Sequence, residues 1–320
     1  MTFTLPWHTQ PEDFLVLLTG VWFLQICISL LSGRLTGHGD PPVLIGLFSN
    51  MAELLAGRLN RPWRSRRDRF FRGLIWMLIV LAAAFVIAWV AELLVQRTAL
   101  AGLVYGFLLL GIMGSAVAVG GSARAGGARS DAEARRRAED LILSFQNWGM
   151  AGLFWFWTLG AAGVMLVMAA GALRGQAGPA EAGYGFGSAA RLLIRIVDFP
   201  AALLAGILMV LASVMTPKTR AARALKAFLA PHTTLSLGKQ KLGLSRIWSL
   251  AVGTSALGIT LGGPGGRTGQ AWLGPRGGHA RLAPSDLKKL RYLMFMAHVW
   301  ALLLMLLAII GTGDVPDFLN

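Results

Sequence analysis

The chain has 320 residues, of which 55% are hydrophobic and only 14% are charged, and its mean hydropathy is +0.60. These values lie outside the range of ordinary soluble domains. The net charge of +15 could indicate nucleic-acid binding, but the basic residues lie in alternate connections between apolar runs, as in membrane proteins; we therefore exclude nucleic acid as a partner and expect the lipid bilayer.

Six apolar runs follow one another, each close to the roughly 20 residues that a helix needs to cross a bilayer. They cover residues 14–32, 73–96, 99–120, 149–173, 199–216 and 292–312. No basic region precedes the first run, so it predicts a retained helix rather than a signal peptide. The sequence predicts an all-α polytopic membrane protein with about six transmembrane helices, short interfacial or re-entrant helices, no β-sheet and a single integral-membrane domain over residues 1–320.

Three segments carry most of the basic residues. They are residues 33–72, 121–148 and 217–291. Because Lys and Arg are enriched in cytoplasmic loops, we expect these stretches on the cytoplasmic side of a cell inner membrane and both termini on the periplasmic side. Attraction to anionic lipid accounts for their charge. The single cysteine, Cys27, excludes an intramolecular disulfide and a cysteine metal cluster.

Each cytoplasmic stretch contains a predicted helix. Apolar residues at helical spacing predict an interfacial helix in the first stretch. In the second, Ser130 or Asp131 could cap a helix whose charges, Arg135 and Glu139 among them, we interpret as a solvated, salt-bridged face. In the third, residues 248–262 are apolar but too short to span comfortably, which favours a re-entrant or membrane-surface helix.

The glycine-rich stretch SALGITLGGPGG, residues 255–266, raises the question of phosphate binding. A Walker A loop needs Lys-Ser or Lys-Thr after its second glycine, and a dinucleotide fingerprint needs a preceding strand; neither is predicted here. We expect Gly262, Gly263 and Pro264 to end the preceding helix. The alternative is a phosphate held by the backbone amides and Arg267.

Few other residues are candidates for chemistry. Glu53 stands out because it lies on the predicted interfacial helix without an adjacent basic residue. We expect Asp198 to cap the helix that follows it, although ionisable groups next to a span are often functional. For His298, a hydrogen-bonded packing role is expected rather than a proton relay. The residues themselves predict neither a catalytic group nor a metal site.

Several motifs occur in the order found in one family of membrane proteins. They are DPPVLIG before Glu53, RLNRPWRS before the second apolar run, ARRRAEDLILSFQNWGMAGLFWFWTLG, FGSAARL ahead of Pro200, ALGITLGGP, and WLG at 272–274. This ordered set resembles the CobD/CbiB family of cobalamin biosynthesis across nearly the whole chain. The resemblance implies a relation to adenosylcobinamide-phosphate synthase, which uses ATP to join a corrinoid carboxylate to the amine of aminopropanol phosphate.

The resemblance also suggests which residues would meet a substrate. The candidates for substrate binding are Glu53, Asp40 (where the family has His), Gly262, Gly263, Pro264 and Arg267. The departures from the family share one direction, because its polar positions are largely aliphatic here. Where the family has Glu-Asn and then Asp-Gly, this chain has Leu143-Ser144 and Asn147-Trp148, and Leu250 replaces another family Glu. Such replacements remove groups that bind magnesium or phosphate.

Two hypotheses stay open. The preferred one is a catalytically degenerate family member that acts as a partner or accessory protein, binding a corrinoid or a catalytic family paralogue; an AmpE-like membrane signalling protein is a related possibility. The other is an active adenosylcobinamide-phosphate synthase with a rearranged site, an ATP-dependent amide-forming ligase. ATP and Mg are expected as cofactors only if that activity is retained.

Overall fold

The computed structural model describes residues 19–24, 43–61, 63–96, 130–178, 185–236, 244–264 and 271–311. Besides the helical residues 19–24, the helices are α1 (Val43–Leu59), α2 (Arg66–Gln96), α3 (Asp131–Ser144), a π-helical segment (Phe145–Met150), α4 (Ala151–Leu159), α5 (Ala161–Gln176), α6 (Ser188–Met215), α7 (Ala221–Leu229), a 3₁₀ turn (Pro231–Thr234), α8 (Leu244–Leu257) and α9 (Pro284–Gly311). The strands are β1 (Leu235–Ser236), β2 (Leu261–Gly262) and β3 (Trp272–Leu273). The predicted, mostly helical class is confirmed for these residues.

Among the residues that the structure describes, three helices, α2, α6 and α9, are long and apolar enough to cross a membrane. They coincide with the second, fifth and sixth predicted runs. The third run, 99–120, lies outside the described residues, as does most of the first. The first and third predicted spans therefore stay predictions. Large apolar side chains on α2 are exposed, as lipid-facing residues would be; they include Phe71, Leu78, Phe85 and Trp89.

The fourth predicted run is not one straight helix. The backbone stays helical from α3 through the π-helical segment and α4, and Gly160 then adopts a φ of +60° that favours glycine. Gly163 contacts the backbone of Trp155 and Gly171 lies against the ring of Trp148, so α4 and α5 run antiparallel. Because both arms are apolar, hydropathy alone cannot detect this reversal. A helical hairpin replaces the predicted fourth span.

A small sheet corrects the prediction of no β-structure. Its strand order is β1-β3-β2, and both pairings are antiparallel. β3 is the shared strand: Leu273 pairs with Leu235 on one side and Leu261 on the other, and Trp272 pairs with Ser236 and Gly262. Each strand has two residues, which is too short to produce an alternating pattern in the sequence.

The basic segments lie at different ends of α6. Gly73, next to the arginines that begin α2, contacts Phe186, two residues before α6 begins. Arg220, by contrast, follows the end of α6, and its amide donates to the carbonyl of Ala256. A helix of 28 residues is about 42 Å long. The positive-inside rule predicts both segments on the same side of the membrane. That prediction counts the fourth apolar run as a crossing, and the hairpin that replaces this run reduces the number of crossings between the two segments by one.

Small residues bring the helices of the core together. α6 packs against α8, α9 and α7, and the space at Gly206 on α6 is taken by the ring of Phe228 on α7. Close approach through small residues is typical of helices in membranes. The alanines of α6 that are fully buried are Ala190, Ala201, Ala202, Ala205 and Ala212.

Candidate functional site

The structure separates the residues predicted to bind substrate. Glu53 is exposed on α1, a helix that packs against α2 and α5. Gly262 and Gly263 lie at β2, which packs against α3 and β3. Asp40 and Arg267 lie outside the described residues. The candidate site described below is therefore the surroundings of the glycine motif.

The preceding helix ends earlier than expected. α8 ends at Leu257, and Gly258 follows with a φ of +71°. The amides of Gly258 and Ile259 both return to the carbonyl of Thr254, which is how a glycine after a helix satisfies the last turn. The expectation that Gly262, Gly263 and Pro264 end this helix is wrong, because an earlier glycine already does so.

The glycine motif forms β2 and a turn whose amides are occupied. The amide of Gly262 donates to the carboxylate of Glu139 over 2.6 Å, and the amide of Gly263 donates to the carbonyl of Ala271 over 3.1 Å. Pro264 has no amide hydrogen. A phosphate at these three residues would find no free backbone donor, so the predicted amide cradle is not present over 262–264.

The Arg135 side chain binds the backbone carbonyls of the same turn. Its Nε donates to the carbonyl of Gly262 over 3.0 Å, and its two Nη atoms donate to the carbonyls of Ala280 and Pro264 over 3.3 and 3.4 Å. The guanidinium lies 5.1 Å from the centre of the Trp272 ring, within the range of a cation–π contact. We call Arg135, Glu139 and the Gly262–Pro264 turn the α3 clamp.

The α3 clamp corrects the interpretation of α3 as a solvated, salt-bridged helix. Arg135 is only 9% exposed and Glu139 is fully buried. One pair on the same helix does match the expectation, since Arg137 and Glu133 lie 2.5 Å apart at (i, i+4) spacing on the partly exposed side. A sequence signal for the buried face does exist. By their helical spacing, one side of α3 carries the apolar residues Ala134, Ala138, Leu141 and Ile142, and Arg135 and Glu139 lie next to them on that side.

A buried polar cluster lies next along the same helix. In the π-helical segment, the Gln146 amide group donates to the Asn147 carbonyl oxygen over 3.2 Å and accepts from the hydroxyl of Ser249 on α8. All three residues are buried. Burial of amides without partners is unfavourable, so these bonds fix α3 and the π-helical segment against α8. Sequence reasoning did not assign the cluster, because it depends on a long-range pairing.

An ion pair connects the hairpin to α6. The Arg174 guanidinium lies 2.6 Å from a carboxylate oxygen of Asp198, which is only 2% exposed, and 6.0 Å from the centre of the Trp148 ring. The expectation that Asp198 caps a helix is wrong, because α6 begins ten residues earlier at Ser188. Its position inside a candidate span instead requires a cationic partner.

Two histidines, His298 and His279, are hydrogen-bonded to neighbouring groups of the chain. His298 on α9 is hydrogen-bonded to the Met294 carbonyl over 2.8 Å and contacts the rings of Trp22 and Phe145; the predicted packing role is confirmed. His279 lies 3.0 Å from a carboxylate oxygen of Asp286. That same oxygen accepts the amide of Ala283 at the start of α9, so the carboxylate serves as a helix cap.

The charged groups in these clusters are bonded to other groups of the chain. In the ranges that the structure describes, no group of three or more His, Cys, Asp or Glu side chains is placed to hold a metal ion together. The carboxylates of Glu139 and Asp198 are each engaged by a donor of the chain. The chain matches no protein-family model, no curated protein and no solved structure.

Proposed function

We propose that the chain is an inner-membrane protein of the CobD/CbiB type that does not catalyse the amide ligation and serves as a partner or accessory protein. The proposal rests on the ordered motifs of the sequence. The single observation that carries its non-catalytic part is the hydrogen bond from the amide of Gly262 to the buried carboxylate of Glu139.

A phosphate bound by the amide of Gly262 would have to displace the Glu139 carboxylate from that amide. To admit a phosphate, Glu139 would have to leave Gly262 and keep its charge in a buried position, which is unfavourable by several kcal/mol. Arg135 is engaged in the same turn, since each of its three nitrogen atoms donates to a backbone carbonyl. Phosphate binding at this turn would therefore require the α3 clamp to open.

The replaced family positions support the same proposal. Leu143 and Leu250 stand where the resemblance implies glutamates, and both side chains belong to the buried core. Ser144 donates to the carbonyl of Leu141 within its own helix. Aliphatic side chains cannot coordinate magnesium or stabilise an acyl phosphate, so ATP and Mg are not expected as cofactors. The partner would be a corrinoid or a catalytic family member in the same membrane.

Complementation tests this proposal. A strain that lacks its adenosylcobinamide-phosphate synthase is supplied with cobyric acid and with a plasmid that encodes this chain. We expect no cobalamin-dependent growth, whereas a catalytic family member on the same plasmid restores it. Immunoblotting of the membrane fraction confirms that both proteins accumulate. Growth that depends on this chain would contradict the proposal and favour an active synthase with a rearranged site.

The accessory role needs a second arm of the experiment. The same strain receives the catalytic member at a limiting level, with or without this chain. We expect co-expression to change the growth rate and the corrinoid content of the cells. An identical growth rate and corrinoid content in both strains would contradict the accessory role.

A further inference from the structure

The outer face of α7 carries an apolar stripe. Ala222, Leu225 and Leu229 share this face by their helical spacing. Leu225 is 48% exposed and Leu229 is 74% exposed. The opposite side of the helix is buried through Ala224 and Ala227. Two large aliphatic side chains therefore point away from the protein.

A basic edge runs beside the apolar stripe. Arg223 and Lys226 are exposed one turn apart on α7, and the exposed Lys218 and Arg220 come directly before the helix. Within the described part of the chain, these four side chains form no ion pair with a carboxylate. The sequence contains no Asp or Glu between Asp198 and Asp286. The edge is thus suited to an anionic partner.

The orientation of α7 is fixed from the inside. At its start, the amide of Arg220 donates to the carbonyl of Ala256 over 2.9 Å. At its end, the Trp248 indole donates to the carbonyl of Phe228 over 2.8 Å, and the Phe228 ring fills the space at Gly206. The helix cannot roll to bury its outer face without breaking these contacts.

The position of α7 in the chain puts it at a membrane boundary. α6 is a candidate span that ends at Met215, and only five residues separate it from α7. The last residues of α6, Val214 and Met215, are 70% and 52% exposed. A helix that follows a span so closely lies near the level of the lipid headgroups.

Lys218 adds an independent observation. It is the only residue other than glycine with a positive φ among the described residues, at +63°, and it follows Pro217 in a turn. Glycine adopts this conformation without strain, whereas a lysine does not. A strained conformation that retains a charged side chain indicates a use for the charge.

We propose that α7 lies on the bilayer surface, with Leu225 and Leu229 among the upper acyl chains and the basic edge bound to the phosphates of anionic lipid headgroups. An apolar stripe flanked by Lys and Arg is the pattern of interfacial helices. Each basic side chain near an anionic surface enriches the lipid by up to about fivefold. This inference concerns anchoring of the α6–α8 unit and does not depend on the proposed accessory function.

Lipid quenching of a fluorescent label tests the proposal. The full chain carries Cys27→Ser and Leu229→Cys, is labelled with an environment-sensitive fluorophore and is reconstituted into vesicles. The vesicles contain brominated phosphatidylcholine or brominated phosphatidylglycerol at equal mole fraction. We expect both to quench the label, with the anionic lipid about twofold more effective or better. A label at Arg276→Cys, in an exposed turn, serves as the position control and should show neither effect.

Charge variants identify the basic edge as the cause. Arg223→Gln with Lys226→Gln removes two of the four charges and should at least halve the difference in quenching between the two lipids, whereas Arg136→Gln with Arg276→Gln removes the same charge elsewhere and should preserve the difference. Quenching by aqueous iodide but not by brominated lipid would overturn the proposal. Protection from both quenchers would also overturn it, since a protein partner would then cover the face. Equal quenching by both lipids in the unaltered basic edge would overturn the headgroup assignment.

Discussion

Helices α3 and α7 both carry Lys or Arg at helical spacing, yet their charges meet opposite environments. On α3, Arg135 and Glu139 face inward and are bonded to the backbone of the glycine turn. On α7, Arg223 and Lys226 face outward beside two exposed leucines. The same residue types therefore stabilise a turn in one region and remain available to a partner in the other.

The difference explains why the glycine motif is a poor place for a ligand and α7 a good one. A buried charge that is already bonded is costly to release, because its partner groups are then left without a bond in a low-dielectric environment. An exposed charge keeps its hydration until a partner arrives, so it can be exchanged at little cost. Substitutions in the two regions should therefore differ strongly in their effect on stability.

The largest effect is expected for the buried acid of the α3 clamp. Glu139→Ala leaves the amide of Gly262 without an acceptor and leaves a cavity at a fully buried position, so it should lower the free energy of unfolding by about 3–5 kcal/mol. SDS titration followed by circular dichroism measures this in detergent. Glu133→Ala, on the same helix but in a partly exposed pair, is the control and should cost about 0.5 kcal/mol. Equal losses would contradict the inward role of Glu139.

A loss close to this size is expected at the ion pair between the hairpin and α6. Asp198→Ala leaves the Arg174 charge without its carboxylate and should lower the free energy of unfolding by about 3 kcal/mol. The double variant Arg174→Leu with Asp198→Leu removes both charges and should recover most of that loss. If the double variant is no more stable than Asp198→Ala in the same titration, the contact is not an ion pair of consequence.

The crowding of the glycine turn gives a smaller effect. Gly263→Ala places a Cβ against the Trp272 ring and keeps a φ of +72°, so a loss of about 2–3 kcal/mol is expected. Gly277→Ala has a similar φ of +80° but open space around it, and it should cost only about 1 kcal/mol. The melting temperatures of the two variants separate steric overlap from backbone strain, and equal values would argue against the contact with Trp272.

Much of the fold was predictable, and the misses have physical causes. Long apolar runs predicted α2, α6 and α9. A helix that crosses a membrane is recognised from the length of its apolar run and needs no alternation of apolar and polar faces. The hairpin at Gly160 was missed since both arms are as apolar as a single span would be. The sequence predicts solvent exposure for Arg135 and Glu139 because charged residues are rarely buried. Their burial depends on Gly262, more than 120 residues away.

The candidate site was less predictable than the fold. Spacing on α3 could have shown that its charges lie between apolar residues, but no local pattern shows which backbone groups they bind. The sequence predicts a cap at Asp198 because the apolar run begins at Phe199, whereas the helix starts at Ser188. The position of Glu53 on a helix was predicted correctly, and its separation from the glycine turn depends on helix packing that the sequence does not encode locally.

The smallest effect is expected for the outward charges of α7. Arg223→Gln with Lys226→Gln should change the free energy of unfolding in detergent by less than about 0.5 kcal/mol, since exposed charges contribute little to stability. Lys218→Gly should raise it by about 1 kcal/mol, because glycine accepts the positive φ without strain. A large loss in the double variant would show that these side chains hold the fold and would remove the contrast with α3.

The non-catalytic assignment is tested most directly by a ligation assay on membranes that contain this chain. The membranes are incubated with adenosylcobyric acid, aminopropanol phosphate, ATP and Mg, and the corrinoid products are measured by mass spectrometry beside membranes with a catalytic family member. We expect adenosylcobinamide phosphate in the second sample and none above background in the first. Product that forms with this chain, and that is lost on removal of ATP, would contradict the proposed non-catalytic role.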